Sequence, residues 1–199
     1  DIIVSDVMMP RMNGYKLCKT IKEDINISHI PVILLTARDD RQSQISGYKN
    51  GADGYLSKPF EVEMLMELIR NRLKNREYTK KRYLNAGLIP TPEESTISLT
   101  DETFLIKLNS IIQENIENSN LGIQFICQEV GLGRSSLYNK LKALTGMGAN
   151  EYISKLRIEK AITLISGTDM PFSEIAEKTG FTTPSYFSTA FKQYTGETP

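Results

Sequence analysis

At 199 residues, with 24 basic and 24 acidic side chains and a 40% hydrophobic share, the chain is long enough for two compact domains and is neither a disordered tail nor a polycation. Its two cysteines, Cys18 and Cys127, and its one histidine exclude a disulfide framework and a thiolate-imidazole zinc centre, and they suit a reducing cytoplasm. The longest apolar run, Ile30 to Leu35, contains a proline and is far too short to span a bilayer, so no direct membrane contact is expected of this segment.

The chain opens on a strand-like run, Ile2 to Ser5, without a leading methionine, and stops at Pro199 one turn after a helical pattern, so a piece of a longer protein is expected. Two further short apolar runs follow, Val32 to Leu35 and Tyr55 to Ser57. Helical spacing fills the gaps: Gly14, Tyr15, Leu17 and Ile21; then Arg41 to Asn50, ended by Gly51; then Glu61 to Arg76 with Leu65, Leu68, Ile69 and Leu73. Strands alternating with helices predict a βαβαβα segment with a parallel sheet.

Each strand is followed by a residue with its own chemistry: Asp6, Thr36 and Lys58. The carboxyl ends of parallel strands share one edge of the sheet, where ligands usually bind, so a carboxylate, a hydroxyl and an ammonium are expected to converge. A carboxylate can take a phosphoryl group as an acyl phosphate, a lysine can balance the added charge, and a hydroxyl can hydrogen-bond a phosphoryl oxygen. An isolated aspartate after a strand is more often a turn or a helix cap, and it is the set of three in register that points to function.

Three stretches, SDVMMPRMNG from Ser5, PVILLTA from Pro31 and GADGYLSKPF from Gly51, resemble the receiver domain of response regulators in order and spacing. The resemblance implies a flavodoxin-like partial receiver over residues 1–77 that lacks its first two βα units. It implies that Asp6 is the phospho-acceptor, that Thr36 and Tyr55 are the switch pair, and that Lys58 contacts the phosphoryl group. It further implies a cis peptide at Lys58–Pro59 and a Mg²⁺ site using Asp6 and the backbone carbonyl of Met8. The acidic pair that completes that site in receivers would precede Asp1, so Mg²⁺ is expected in the complete receiver rather than in this segment, and phosphorylation in the parent protein. The first strand is expected to form an exposed apolar edge.

Residues 78–100 read as a linker, with Gly87, Pro90, Pro92 and a Ser/Thr cluster between Asn85 and Thr100. Thr100 or Asp101 then suits the cap of a helix carrying Phe104, Leu105, Leu108, Ile111, Ile112 and Ile116.

An internal repeat organises the rest. Ile126 and Gly131 recur as Ile175 and Gly180 at an offset of 49; Ser135, Lys142, Thr145 and Gly146 recur as Ser185, Lys192, Thr195 and Gly196 at an offset of 50. In each copy a short helix ends at the glycine and a second carries an apolar stripe: Leu137, Leu141 and Leu144, then Phe187, Phe191 and Tyr194. These are two helix-turn-helix units, at about 123–146 and 172–196, joined by a helix over about 150–165 that spans roughly 25 Å. Arg134, Lys140 and Lys142 suit phosphate contacts, Asn139 can pair bidentately with adenine, and in the second helix only Lys192 is basic.

GLGRSSLYNKLKALTG and GFTTPSYFSTAFKQYTGETP are similar to the two units of the AraC/XylS-type DNA-binding domain, a likeness that covers nearly all of 101–199. It implies an all-α double helix-turn-helix domain on double-stranded DNA, with Ser135, Tyr138 and Asn139 from the first unit and Ser185, Tyr186 and Thr189 from the second facing bases. The two resemblances in this order imply a phosphorylation-controlled, cytoplasmic transcription regulator of a two-component phosphorelay, a non-enzymatic segment that acts with a histidine kinase as a homodimer. They also resemble the C-terminal end of hybrid regulators, in which the kinase shares the polypeptide and the parent is anchored in the inner membrane. Two other readings stand beside this one: a DNA-binding protein whose first half is an inert dimerisation scaffold, and an aspartate-nucleophile phosphatase of the haloacid dehalogenase type. The phosphatase would need a second aspartate where Met8 stands.

Overall fold

The computed structural model describes residues 1–37, 49–86 and 99–199. They divide into two compact units, Asp1–Phe104 with Ala143–Thr145, and Leu105–Lys142 with Gly146–Pro199. In the first unit, β1 (Ile3–Asp6), β2 (Val32–Thr36) and β3 (Gly54–Ser57) form a parallel sheet in the order β1-β2-β3. The expected strands are present, each shifted or extended by one residue, so that Asp6 and Thr36 end their strands instead of following them. As an edge strand β1 leaves Val4 38% exposed.

Helix α1 (Gly14–Glu23) follows β1 and is capped by Asn13, whose side chain accepts from the Lys16 amide at 2.8 Å. Its apolar face buries Cys18 and Ile21 on Val32 and Leu34 of the sheet, with Tyr15 and Tyr55 packed at the margin. The helix expected over Arg41 to Asn50 falls almost wholly outside the described residues. Helix α2 (Val62–Ala86) runs ten residues past the expected end at Arg76, into the stretch read as linker. No glycine or proline interrupts 62–86, and strong helix formers such as Lys, Arg, Glu and Leu carry it onward.

Helix α3 (Leu99–Glu114) begins before the caps assigned to it. Thr100 and Asp101 sit inside its first turn and are engaged elsewhere: the Thr100 hydroxyl donates to the Lys22 carbonyl at 2.9 Å, and Asp101 accepts from the Ser28 hydroxyl at 2.7 Å. The expected apolar stripe of this helix, Phe104 through Ile116, is buried throughout.

After α3 the regular elements of the described residues are helices only: α4 (Ile123–Val130), α5 (Arg134–Thr145), α6 (Ala149–Gly167), α7 (Phe172–Lys178) and α8 (Pro184–Thr195). The two helix pairs of the repeat are therefore α4-α5 and α7-α8. Each turns at a left-handed glycine, Gly131 at φ +73° and Gly180 at φ +73°, a conformation that costs an L side chain about 1–2 kcal/mol. A core of Ile158, Ala161, Ile175, Ala176, Phe181, Phe187 and Phe191 holds α6, α7 and α8 together. Each large side chain in it contributes about 1.5–3 kcal/mol through burial.

Candidate functional site

The register of the sheet places the chemistry of the first unit. Asp6 at the end of β1 pairs with Leu35, and Thr36 at the end of β2 pairs with Ser57, one residue before Lys58. The three predicted residues thus lie at one edge. The Lys58 ammonium forms an ion pair with Asp6 Oδ2, and the Met8 amide donates to Asp6 Oδ1 at 3.2 Å. The Lys58 amide donates to the Thr36 carbonyl at 2.6 Å, while Thr36 itself is 2% exposed.

The hydrogen bond from Lys58, followed by that from the Met8 amide, holds the Asp6 carboxyl below its usual range, so it is ionised at neutral pH. The pair remains open to an incoming group, with the Asp6 side chain 33% exposed. The Lys58–Pro59 peptide is cis, as the resemblance implied. Met8 is exposed, on the loop between Asp6 and α1.

Gly14 explains why that loop can be so short. Its amide donates to the Val7 carbonyl at 2.9 Å, and a Cβ at this position would stand 2.5 Å from the Asp6 carbonyl oxygen. Only a glycine lets α1 start so close to the strand that carries Asp6. The sequence showed Gly14 as part of a helix start and no more.

A Mg²⁺ ion prefers about six oxygen ligands in octahedral array. Among the described residues no cluster of three or more Asp, Glu, His or Cys side chains stands together, and Asp6 is the one carboxylate at this edge with a role in the expected site. The described residues alone do not fit a complete Mg²⁺ site.

Tyr55, the expected switch aromatic, is half-buried in β3, and its hydroxyl lies 3.4 Å from that of Tyr15 on α1. Tyr15 was not singled out as a functional residue from the sequence. No local pattern marks a tyrosine forty positions away as its neighbour.

In the second unit the predicted reading residues behave alike with one exception. Arg134, Ser135, Tyr138, Asn139 and Lys142 on α5, and Ser185, Tyr186, Thr189 and Lys192 on α8, are exposed. Arg134 is held at the turn by Gln124, 3.1 Å away, and the Thr189 hydroxyl donates back to the Ser185 carbonyl at 2.9 Å.

Lys140 is the exception and corrects the expectation of a phosphate contact: it is 0% exposed. It stands three residues after Leu137 and four before Leu144, on the stripe that α5 turns inward, where a side chain cannot reach a phosphate without the helix rotating. The basic face of α5 is therefore Arg134 and Lys142.

Comparison with known proteins matches these two regions separately. The family described as response regulator receiver domain matches residues 1–70, and that described as helix-turn-helix domain matches residues 126–199. The chain is 42% identical over 198 residues to a protein named histidine kinase P4 from Formosa agariphila, covering all of this chain but only 14% of that relative. It is 30% identical over 162 residues to the probable transcriptional regulator ycf29 of Pyropia yezoensis, covering 76% of this chain and 73% of that one. Among solved structures, the C-terminal domain of AraT, a response regulator from Geobacillus stearothermophilus, is 31% identical with a TM-score of 0.45, covering 48% of this chain and 79% of that one. Among the described residues no helix is long and apolar enough to cross a membrane.

Proposed function

This chain belongs to the response regulators, a receiver part joined to an AraC-type helix-turn-helix part, and from that premise we propose that phosphorylation of Asp6 controls its sequence-specific reading of double-stranded DNA. The observation that carries the reading is the open Asp6–Lys58 ion pair at the carboxyl edge of the sheet. One Asp6 oxygen attacks the phosphorus of a kinase phosphohistidine; the new P–O bond forms as the P–N bond breaks, and the imidazole leaves. Lys58, already in contact with the carboxylate, then neutralises a phosphoryl oxygen. Mg²⁺, typical of receiver domains, would take Asp6 and the Met8 carbonyl and would need further anionic ligands.

With the phosphoryl group in place, the Thr36 hydroxyl and Tyr55 move toward it and remodel the receiver surface, which favours a homodimer. A dimer brings four helix-turn-helix units to a repeated site and gains affinity by avidity. On each protomer Ser135, Tyr138 and Asn139 of α5 and Ser185, Tyr186 and Thr189 of α8 face base edges, while Arg134, Lys142 and Lys192 contact phosphates. The 42% identity to a far longer protein named histidine kinase supports a hybrid parent that carries a kinase as well as this segment.

The test is to expose the natural full-length protein to its phosphoryl donor, reduce with borohydride and map the product by mass spectrometry. The reading expects modification at Asp6 and none in Asp6→Asn. Modification elsewhere, or none, overturns it.

A further inference from the structure

Arg157 lies on α6, the helix that joins the two duplicated units, and is 9% exposed. Its Nη2 donates to the Asn118 carbonyl at 2.7 Å, in the segment after α3. The guanidinium carbon stands 6.0 Å from the centre of the Phe181 ring, in the turn between α7 and α8. Phe181 meets Tyr186 edge-on at 5.6 Å and Phe187 at 5.3 Å, both in the first turn of α8. The neighbouring Gly180 has room for no more than hydrogen: a Cβ there would lie 2.2 Å from the Ile116 carbonyl and 2.8 Å from Arg157 Nη2. The turn of the second unit therefore rests directly on a buried guanidinium.

Stability alone is a poor explanation for this residue. Its Nε has no hydrogen-bond partner among the described residues, and burying a charge that is only partly satisfied is generally no better than filling the same space with an apolar side chain. The chain itself offers the comparison: at the offset of 49 that relates Gly131 to Gly180, the position preceding the first unit holds Leu108, 1% exposed. What arginine adds is a rigid planar fork that ties a backbone carbonyl on one side to an aromatic ring on the other.

We infer that Arg157 is a positioning residue for the second reading helix, setting through Phe181 where Tyr186 and the start of α8 stand against DNA. This rests on the reading that α5 and α8 contact bases. Base recognition tolerates little displacement, so the effect falls on the segment read by α8 and spares the segment read by α5.

The experiment is selection of bound sequences from random duplexes by the full chain, in native form and as Arg157→Met, Arg157→Lys and Phe181→Leu, with thermal melting of each. Asn139→Ala and Thr189→Ala assign the two segments of the motif to α5 and α8. The expected result is that all three variants retain the α5 segment, lose preference in the α8 segment, and bind the native motif about tenfold more weakly. Affinity for a duplex carrying only the α5 segment stays unchanged, and Arg157→Met melts no lower than the native chain. Retention of both segments, or loss of both in step with a lowered melting temperature, overturns the inference. Should the Arg157 variants not melt cooperatively, Phe181→Leu decides by the same criteria. A native chain that enriches no motif overturns the DNA-reading premise itself, and this inference with it.

Discussion

The hydroxyls of Tyr15 and Tyr55 lie 3.4 Å apart, linking α1 to β3. Either can donate, and the separation is long for an O–H···O bond, so the contact contributes at the lower end of the usual range, about 0.5 kcal/mol. Tyr15 therefore tethers Tyr55 only weakly, which suits the switching role proposed for it.

A double-mutant cycle measures that link. Tyr15→Phe and Tyr55→Phe each lower the denaturant stability of the protein slightly, and together they cost less than their sum by about 0.5 kcal/mol. Strict additivity would show that the two hydroxyls do not interact.

Gly14→Ala and Gly131→Ala separate packing from backbone strain. At Gly14 the new methyl meets the Asp6 carbonyl oxygen at 2.5 Å and the Val7 Cα at 3.0 Å, so α1 must shift, at about 1–3 kcal/mol and with a disturbed Asp6 loop. At Gly131 nothing stands within 4 Å, and only the positive φ opposes the change, about 1–2 kcal/mol. Chemical denaturation gives both values; amide shifts of Val7 and Met8 should respond to the first substitution and not to the second.

Lys140 and Lys142 make a matched pair for DNA binding. Lys142→Ala removes an exposed cation and should reduce the slope of log affinity against log salt by about one. Lys140→Met alters a buried position and should leave the slope unchanged. Equal effects of the two on the slope would restore Lys140 as a phosphate contact.

Tyr194 offers a pH test of the α6-α8 packing. Burial, and then the charge and hydrogen bond of Glu159, push its phenol up to about 12 from 10.0. The folded state thus holds this proton more tightly than the unfolded state. The resulting stabilisation is complete below pH 10 and is lost as pH rises toward 12. Comparing phenolate absorbance of the native chain with Tyr194→Phe should show no Tyr194 ionisation at pH 10; a normal increment there would contradict the packing described.

Some of this was legible in the sequence because the determinants are local. Asp6, Thr36 and Lys58 end or follow short apolar runs, and parallel strands bring such positions to one edge whatever lies between them. Gly131 and Gly180 mark turns because few other residues adopt their backbone angle. Lys140 has the charge of a phosphate contact, but its place beside the Leu137–Leu141–Leu144 stripe, not its charge, decides where it points. The apolar stripe that marks α2 in the sequence fades after Leu73, but the charged residues that follow favour helix and carry it to Ala86. Tyr15 and Arg157 could not be found locally at all. One acts on a strand 40 positions away and the other on a backbone carbonyl, and neither partner leaves a trace in the spacing.

The most direct measurement is the affinity of the natural full-length protein for its selected duplex, with and without phosphoryl donor, in native and Asp6→Asn forms. Coupling between receiver and DNA-reading helices predicts binding about tenfold tighter with donor for the native protein and no change for Asp6→Asn. The same affinity in all four conditions would contradict control through Asp6.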